Sequence, residues 1–179
     1  MSGNKPLLLR PAARFRVKAL VLLLAAIAAA PAPAWVVDDK TKPKKLFKSE
    51  DTLVISMIAP WREFVRNEDY KGAYPASLEY TDELGNNVIL DLTVERRGVT
   101  RQRVCKIPPV KLRFEKGSAK GTTFRGQGSL KMVTHCETSS GYEQYYILEM
   151  LAYRMYNLLT EYSFRVRPLT VTYYQVEDP

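Results

Sequence analysis

Apolar and polar residues alternate with a period of two in several short runs of this chain, and with a helical period in one long run. In "TLVISMIAPW", Leu53, Ile55 and Met57 point one way and Val54, Ser56 and Ile58 the other, and Pro60 stops the strand. "WREFVRNEDY" is short enough for one or two helical turns. "SLEYTDELGNNVILDLTVERRG" predicts a hairpin, with Leu78 to Tyr80 opposite Val88 to Glu95 and Gly85-Asn86-Asn87 at its turn. Pro108-Pro109 break the chain before "VKLRFE", where Val110, Leu112 and Phe114 form an inner face and Lys111, Arg113 and Glu115 an outer one. "KGSAKGTT" reads as a flexible loop and "SLKMVTH" as another strand. A helix is expected over about 142–160, announced by the capping-box pattern Ser140-x-x-Glu143. Tyr145, Leu148, Leu151, Ala152, Met155, Leu158 and Leu159 recur at three and four residues along it, one broad apolar stripe that should face the core. "SFRVR" and "LTVTYYQV" read as a final strand pair around Pro168. The sum is α+β: a mainly antiparallel sheet packed by one long helix.

The first residues change how charge is read. Residues 1–18 carry five cations (Lys5, Arg10, Arg14, Arg16 and Lys18) and no acid, and "ALVLLLAAIAAA" follows, apolar throughout. Ala32-Pro33-Ala34 then fits an A-x-A cleavage site, so residues 1–34 are expected to be a secretory signal peptide. The twelve-residue apolar run is short for a stable membrane span. The whole chain has 27 Lys and Arg against 19 Asp and Glu, net +8; without the leader the balance falls to +3. Such a balance does not suggest a nucleic-acid partner, which calls for a strongly basic, clustered face. Residues 35–50, lysine-rich with one proline, read as a linker, and 51–179 as one α+β domain. The expected location is therefore periplasmic or extracellular.

Export makes Cys105 and Cys136, the two cysteines of the chain, a disulfide candidate. The alternatives are weaker chemically. His135 adjoins Cys136, and neighbours on a strand point to opposite faces, which disfavours both a shared metal and a Cys-His nucleophile. "GSAKGTTFRGQGSLK" has two readings: a phosphate loop, although Gln127 stands where such a loop needs lysine, or a hairpin loop whose glycines permit positive φ. "ERRGVTRQRVCK", with four arginines and a lysine, could grip phosphate or could be a solvated strand end. Lys131 on a strand and Glu149 on the following helix stand in the order that protein kinases use for their phosphate-orienting ion pair.

"RRGVTRQRVCKIPPVKLRFEKGSAKGTTFRGQGSLKMVTHC" followed by "YEQYYILEMLAYRMYNLLTEYSFRVRPLTVTY" resembles the N-terminal part of exported spore coat H (CotH-type) kinase-like proteins. The resemblance spans about residues 78–174 and rests on Arg97-Gly98, "PPVKLRF", the "LK" strand, "LEMLAYRMYNLL" and "FRVRPLTVTY". It lacks the Asn-Ser usual after Arg-Gly. The resemblance implies an atypical kinase N-lobe that is incomplete at its C-terminus, since the family continues into a half bearing catalytic and metal-binding acids. It further implies ATP with Mg²⁺ as ligand, protein hydroxyls as substrate, and Lys131, Glu149 and Arg97 as cofactor-binding residues. No catalytic or metal-ligating residue is assigned within the chain itself, and this fragment alone is not expected to transfer phosphate. The competing expectation is a non-enzymatic envelope module that binds a protein partner through its sheet or its tyrosine-rich helix. For an exported hydrolase no nucleophile–base set stands out.

Overall fold

Residues 42–68 and 70–176 are described by a computed structural model. The expected leader and residues 35–41 of the linker fall outside them. The elements are β1 (Leu53–Ala59), α1 (Trp61–Arg66), β2 (Ala73–Thr81), β3 (Asn87–Arg96), α2 (Arg101–Val104), β4 (Val110–Phe114), β5 (Ser129–Met132), α3 (Glu143–Leu159) and β6 (Leu169–Gln175). The class is α+β. The six strands form one sheet in the order β5-β4-β3-β2-β1-β6. Neighbours from β1 to β5 pair antiparallel, but β6 runs parallel to β1, with Leu53 beside Leu169 and Ala59 beside Gln175. The sheet is therefore mixed.

Strand alternation places the core. Leu53, Ile55, Met57 and Ala59 of β1 are buried, and so are Leu78 and Tyr80 of β2, Leu90, Leu92 and Val94 of β3, and Val110, Leu112 and Phe114 of β4. The register keeps them on one face, because Leu78 stands opposite both Met57 and Leu90, and Val94 opposite Leu112. β2 begins five residues earlier than expected, and Pro75 lies inside it. Pro75 pairs with Thr93 on one side, beyond the last β1 partner on the other, so its missing N–H interrupts no β1–β2 bond. The β2–β3 turn is built by Asp82, whose carboxylate accepts from the Leu84 and Asn86 amides at 2.9 Å, with Gly85 at φ +84°.

The layer over this face is made of short pieces. Leu46, Trp61 and Phe64 of α1, and Ala119 and Phe124 of the β4–β5 loop, are buried in the same cluster. Trp61 meets Phe64 and Tyr173 edge-on at 5.4 and 4.9 Å, and its indole donates to the Met57 carbonyl. The long helix takes no part: none of its residues is buried. That corrects the expectation of a sheet packed by one long helix. "SFRVR" is not a strand either. Its side chains tie it down instead: Arg165 donates to Asn157 Oδ1, and Arg167 to the Asp51 and Leu46 carbonyls. β6 consequently joins the sheet beside β1, not beside "SFRVR".

Candidate functional site

The stretch from Cys105 to Cys136 is a stapled hairpin. The two cysteines form a disulfide with Cα atoms 4.4 Å apart. Beyond the β4–β5 ladder the flanking segments stay together: the Lys106 amide donates to the Cys136 carbonyl, the Thr134 hydroxyl to the Ile107 carbonyl, and Lys106 pairs with Glu137 at 3.0 Å. Both sulfurs are thus occupied, which leaves no thiolate for nucleophilic work or metal binding. His135 is exposed. Among the described residues no cluster of His, Cys, Asp or Glu could hold a metal ion.

The glycine-rich loop between β4 and β5 does have the positive φ that its composition suggested, at Gly117, Gly121 and Gly126. It is anchored, however. Ala119, Thr123 and Phe124 are buried, Phe124 lies against Tyr80 and Phe114, and Lys44 donates to the Gly126 carbonyl. Many of the loop's amides are spent within the chain. Those of Ser118, Lys120, Thr122, Arg125 and Gln127 donate to the carbonyls three residues back, and that of Thr123 to the Tyr80 hydroxyl. The hollow beside it, about 470 Å³, is edged by Lys116, Lys120 and Arg125.

The three residues assigned to nucleotide each make contacts of their own. Glu149 pairs with Arg101, the first residue of α2, at 3.5 Å, so the expected Lys131–Glu149 ion pair is not the one formed. Lys131 lies on the exposed face of β5, opposite Lys111, with its ammonium 5.5 Å from the centre of the Phe164 ring. Lys111 belongs to another group, in which Glu95 accepts from Arg113 and pairs with Lys111 at 3.6 Å. The Arg113 hydrogen bond, ahead of the charges of both cations, holds the Glu95 carboxyl below the ordinary glutamate range. The Arg97 amide donates to the Pro109 carbonyl, which closes the β3–β4 ladder. The members of the basic run do different jobs. Arg96, singled out by nothing in the sequence, donates to the Phe64 and Val65 carbonyls of α1 and to the Gln102 carbonyl of α2, and stacks over Phe64 at 5.9 Å.

α3 carries many of the exposed large apolar side chains among the described residues. A turn of 3-10 helix at Ser140–Tyr142 precedes it, and Tyr142 is its N-cap with no side-chain cap bond, so the Ser140–Glu143 capping box does not form. Tyr146, Glu149, Met150, Tyr153, Arg154 and Asn157 are half-buried and recur at three and four residues. They make the inward face. Its ties are mostly polar: Glu149 to Arg101, Arg154 to Glu50 at 3.7 Å, and Asn157 to the Phe164 carbonyl. The apolar stripe lies on the opposite side of the helix, with Leu148 58%, Met155 68%, Leu158 87% and Leu159 80% exposed. Sequence periodicity located the stripe correctly and assigned it the wrong direction. The signal that could have reversed the assignment is the second periodic set, whose Glu149, Arg154 and Asn157 match polar partners elsewhere in the chain.

Comparison with protein-family models, with curated proteins and with solved structures finds no match to this chain.

Proposed function

We propose that this chain is an exported, non-enzymatic protein-binding module. In this reading the disulfide-stapled sheet is the scaffold and α3 presents the contact surface. One observation carries the reading: α3 turns its uncharged apolar stripe to solvent while polar ties hold its other side. Contiguous exposed apolar surface on a small protein marks an interaction site. The disulfide fits an oxidising compartment, and among the described residues no helix is long and apolar enough to cross a membrane.

The CotH-type reading, a lobe that binds ATP with Mg²⁺ through Lys131, Glu149 and Arg97, has less support. Glu149 turns to Arg101, and several of the loop amides that could face phosphate are satisfied internally.

A photo-reactive residue placed at Leu158, and in a parallel strain at Leu84 on the β2–β3 turn, tests the binding reading in living cells. Both positions are more than four-fifths exposed. Discrete protein adducts are expected from position 158 and none from position 84. No adduct at 158, or the same adducts at both, would overturn the reading.

A further inference from the structure

We infer that the occupant of the α3 face is a second copy of this chain, and that the two helices pack antiparallel about a twofold axis. The inference rests on the binding-module reading and names its partner. Tyr145, Leu148, Ala152, Met155 and Leu159 recur at alternating intervals of three and four, the spacing of a coiled-coil seam. All five are exposed. None is charged, and the two charges in the body of α3, Glu149 and Arg154, are engaged on the opposite side with Arg101 and Glu50. A seam without charge meets its own copy with no like-charge repulsion, and depletion of charge at the centre is the mark of interface cores.

The sizes along the seam match an antiparallel copy. With the twofold axis between positions 152 and 155, the small Ala152 receives the partner's Met155, and Leu148 meets the partner's Leu159. Each contact then occurs twice, as an isologous interface requires. The available surface is of the right order. Tyr142, which lies against Tyr145, and Tyr145 and Tyr156 are between 44 and 57% exposed. At about 150–250 Å² for a fully buried aromatic side chain, they leave roughly 230–390 Å² open. Leu148, Met155, Leu158 and Leu159 add to this, against roughly 800 Å² per partner in an interface of standard size. Helices of this length are marginal alone in water, and α3 has only light ties to its own sheet, so a second α3 supplies packing that the monomer lacks.

Sedimentation of protein purified from cells expressing the whole chain, its N-terminus read by intact mass, tests the inference. The wild type is expected to sediment as a dimer that dissociates on dilution. Leu148→Glu is expected to raise the dissociation constant about 100-fold or more, because each copy would bury a carboxylate in an apolar seam. Leu159→Lys should do the same, and mixing the two variants should restore a dimer, since position 148 meets position 159 of the other copy. A wild type that stays monomeric, a Leu148→Glu variant that stays dimeric, or a mixture that stays monomeric would each overturn the antiparallel pairing. Thermal melts of the variants under monomeric conditions separate this failure from that of the broader reading. If Leu148→Glu leaves the melting temperature unchanged while the wild type is monomeric, the stripe is open and only the second copy is wrong. If it lowers the melting temperature sharply, the stripe is covered within the monomer and both readings fall.

Discussion

β1 and α3 are both amphipathic, yet β1 turns its apolar residues into the protein and α3 turns them out. Every second residue of β1 is buried, and Met57 stands against the buried Leu78 of β2. α3 has no such layer to enter, because α1, Leu46 and Phe124 already close the inner face of the sheet. The difference teaches that an apolar stripe says which residues share a face, whereas the rest of the chain decides what that face meets. A core accepts a fixed volume at high packing density. Once short aromatic pieces have filled it, a long helix must seek its partner elsewhere.

Phe64 and Leu158 put the contrast to its hardest test. Phe64 is fully buried, and Phe64→Ala should cost about 3–5 kcal/mol. Leu158→Ala should change stability by less than about 0.5 kcal/mol in dilute, monomeric protein. Urea denaturation of both variants would measure the two values. A cost above about 2 kcal/mol at Leu158 would break the contrast.

The disulfide sharpens the sheet side of it. Its ends are 31 positions apart, so replacing both cysteines with serine should cost about 3–4 kcal/mol in the chain-entropy account. The same urea series, without reductant, would read the loss. An unchanged midpoint would mean that the β4–β5 hairpin holds its shape without the staple.

Glu95 gives the smallest effect, on the outer face of the sheet. Its carboxyl titrates below its ordinary 4.5, so its contribution is present above that value and is lost as pH falls through the lower, folded value. Its partners Lys111 and Arg113 are partly exposed, which keeps the contribution under about 1 kcal/mol. Wild type and Glu95→Gln should differ by that amount at neutral pH and converge below pH 4.5. A gap that persisted or widened in acid would assign the effect to something other than charge pairing.

Much of the sheet was legible in the chain, because strand alternation and turn chemistry are local. Leu53, Ile55 and Met57, the turn at Gly85-Asn86-Asn87, and Val110, Leu112 and Phe114 each declare themselves within a few residues. The disulfide was legible from compartment chemistry. What could not be read was long-range. Nothing near Leu169 says that β6 will lie parallel to β1, since that pairing is set by where α3 and Arg167 deliver the chain. Nothing near Arg96 says that it will hold the carbonyls of both α1 and α2. The Lys131–Glu149 pair was inferred from order along the chain, but order fixes no distance, and Arg101 is the cation that reaches Glu149.

The parallel β1–β6 pair also governs the order of assembly. β2 to β5 close through near neighbours in sequence, each connection spanning at most 14 residues. Leu53 and Leu169 stand 116 positions apart, and their pairing must wait for almost the whole domain to emerge. Contacts of such separation slow folding, because chain entropy is lost before the contact repays it. Until β6 arrives, one edge of β1 is an open template for another strand. Were the chain to thread through a membrane in extended form, that interval would fall on the far side, until β6 covers the open edge of β1.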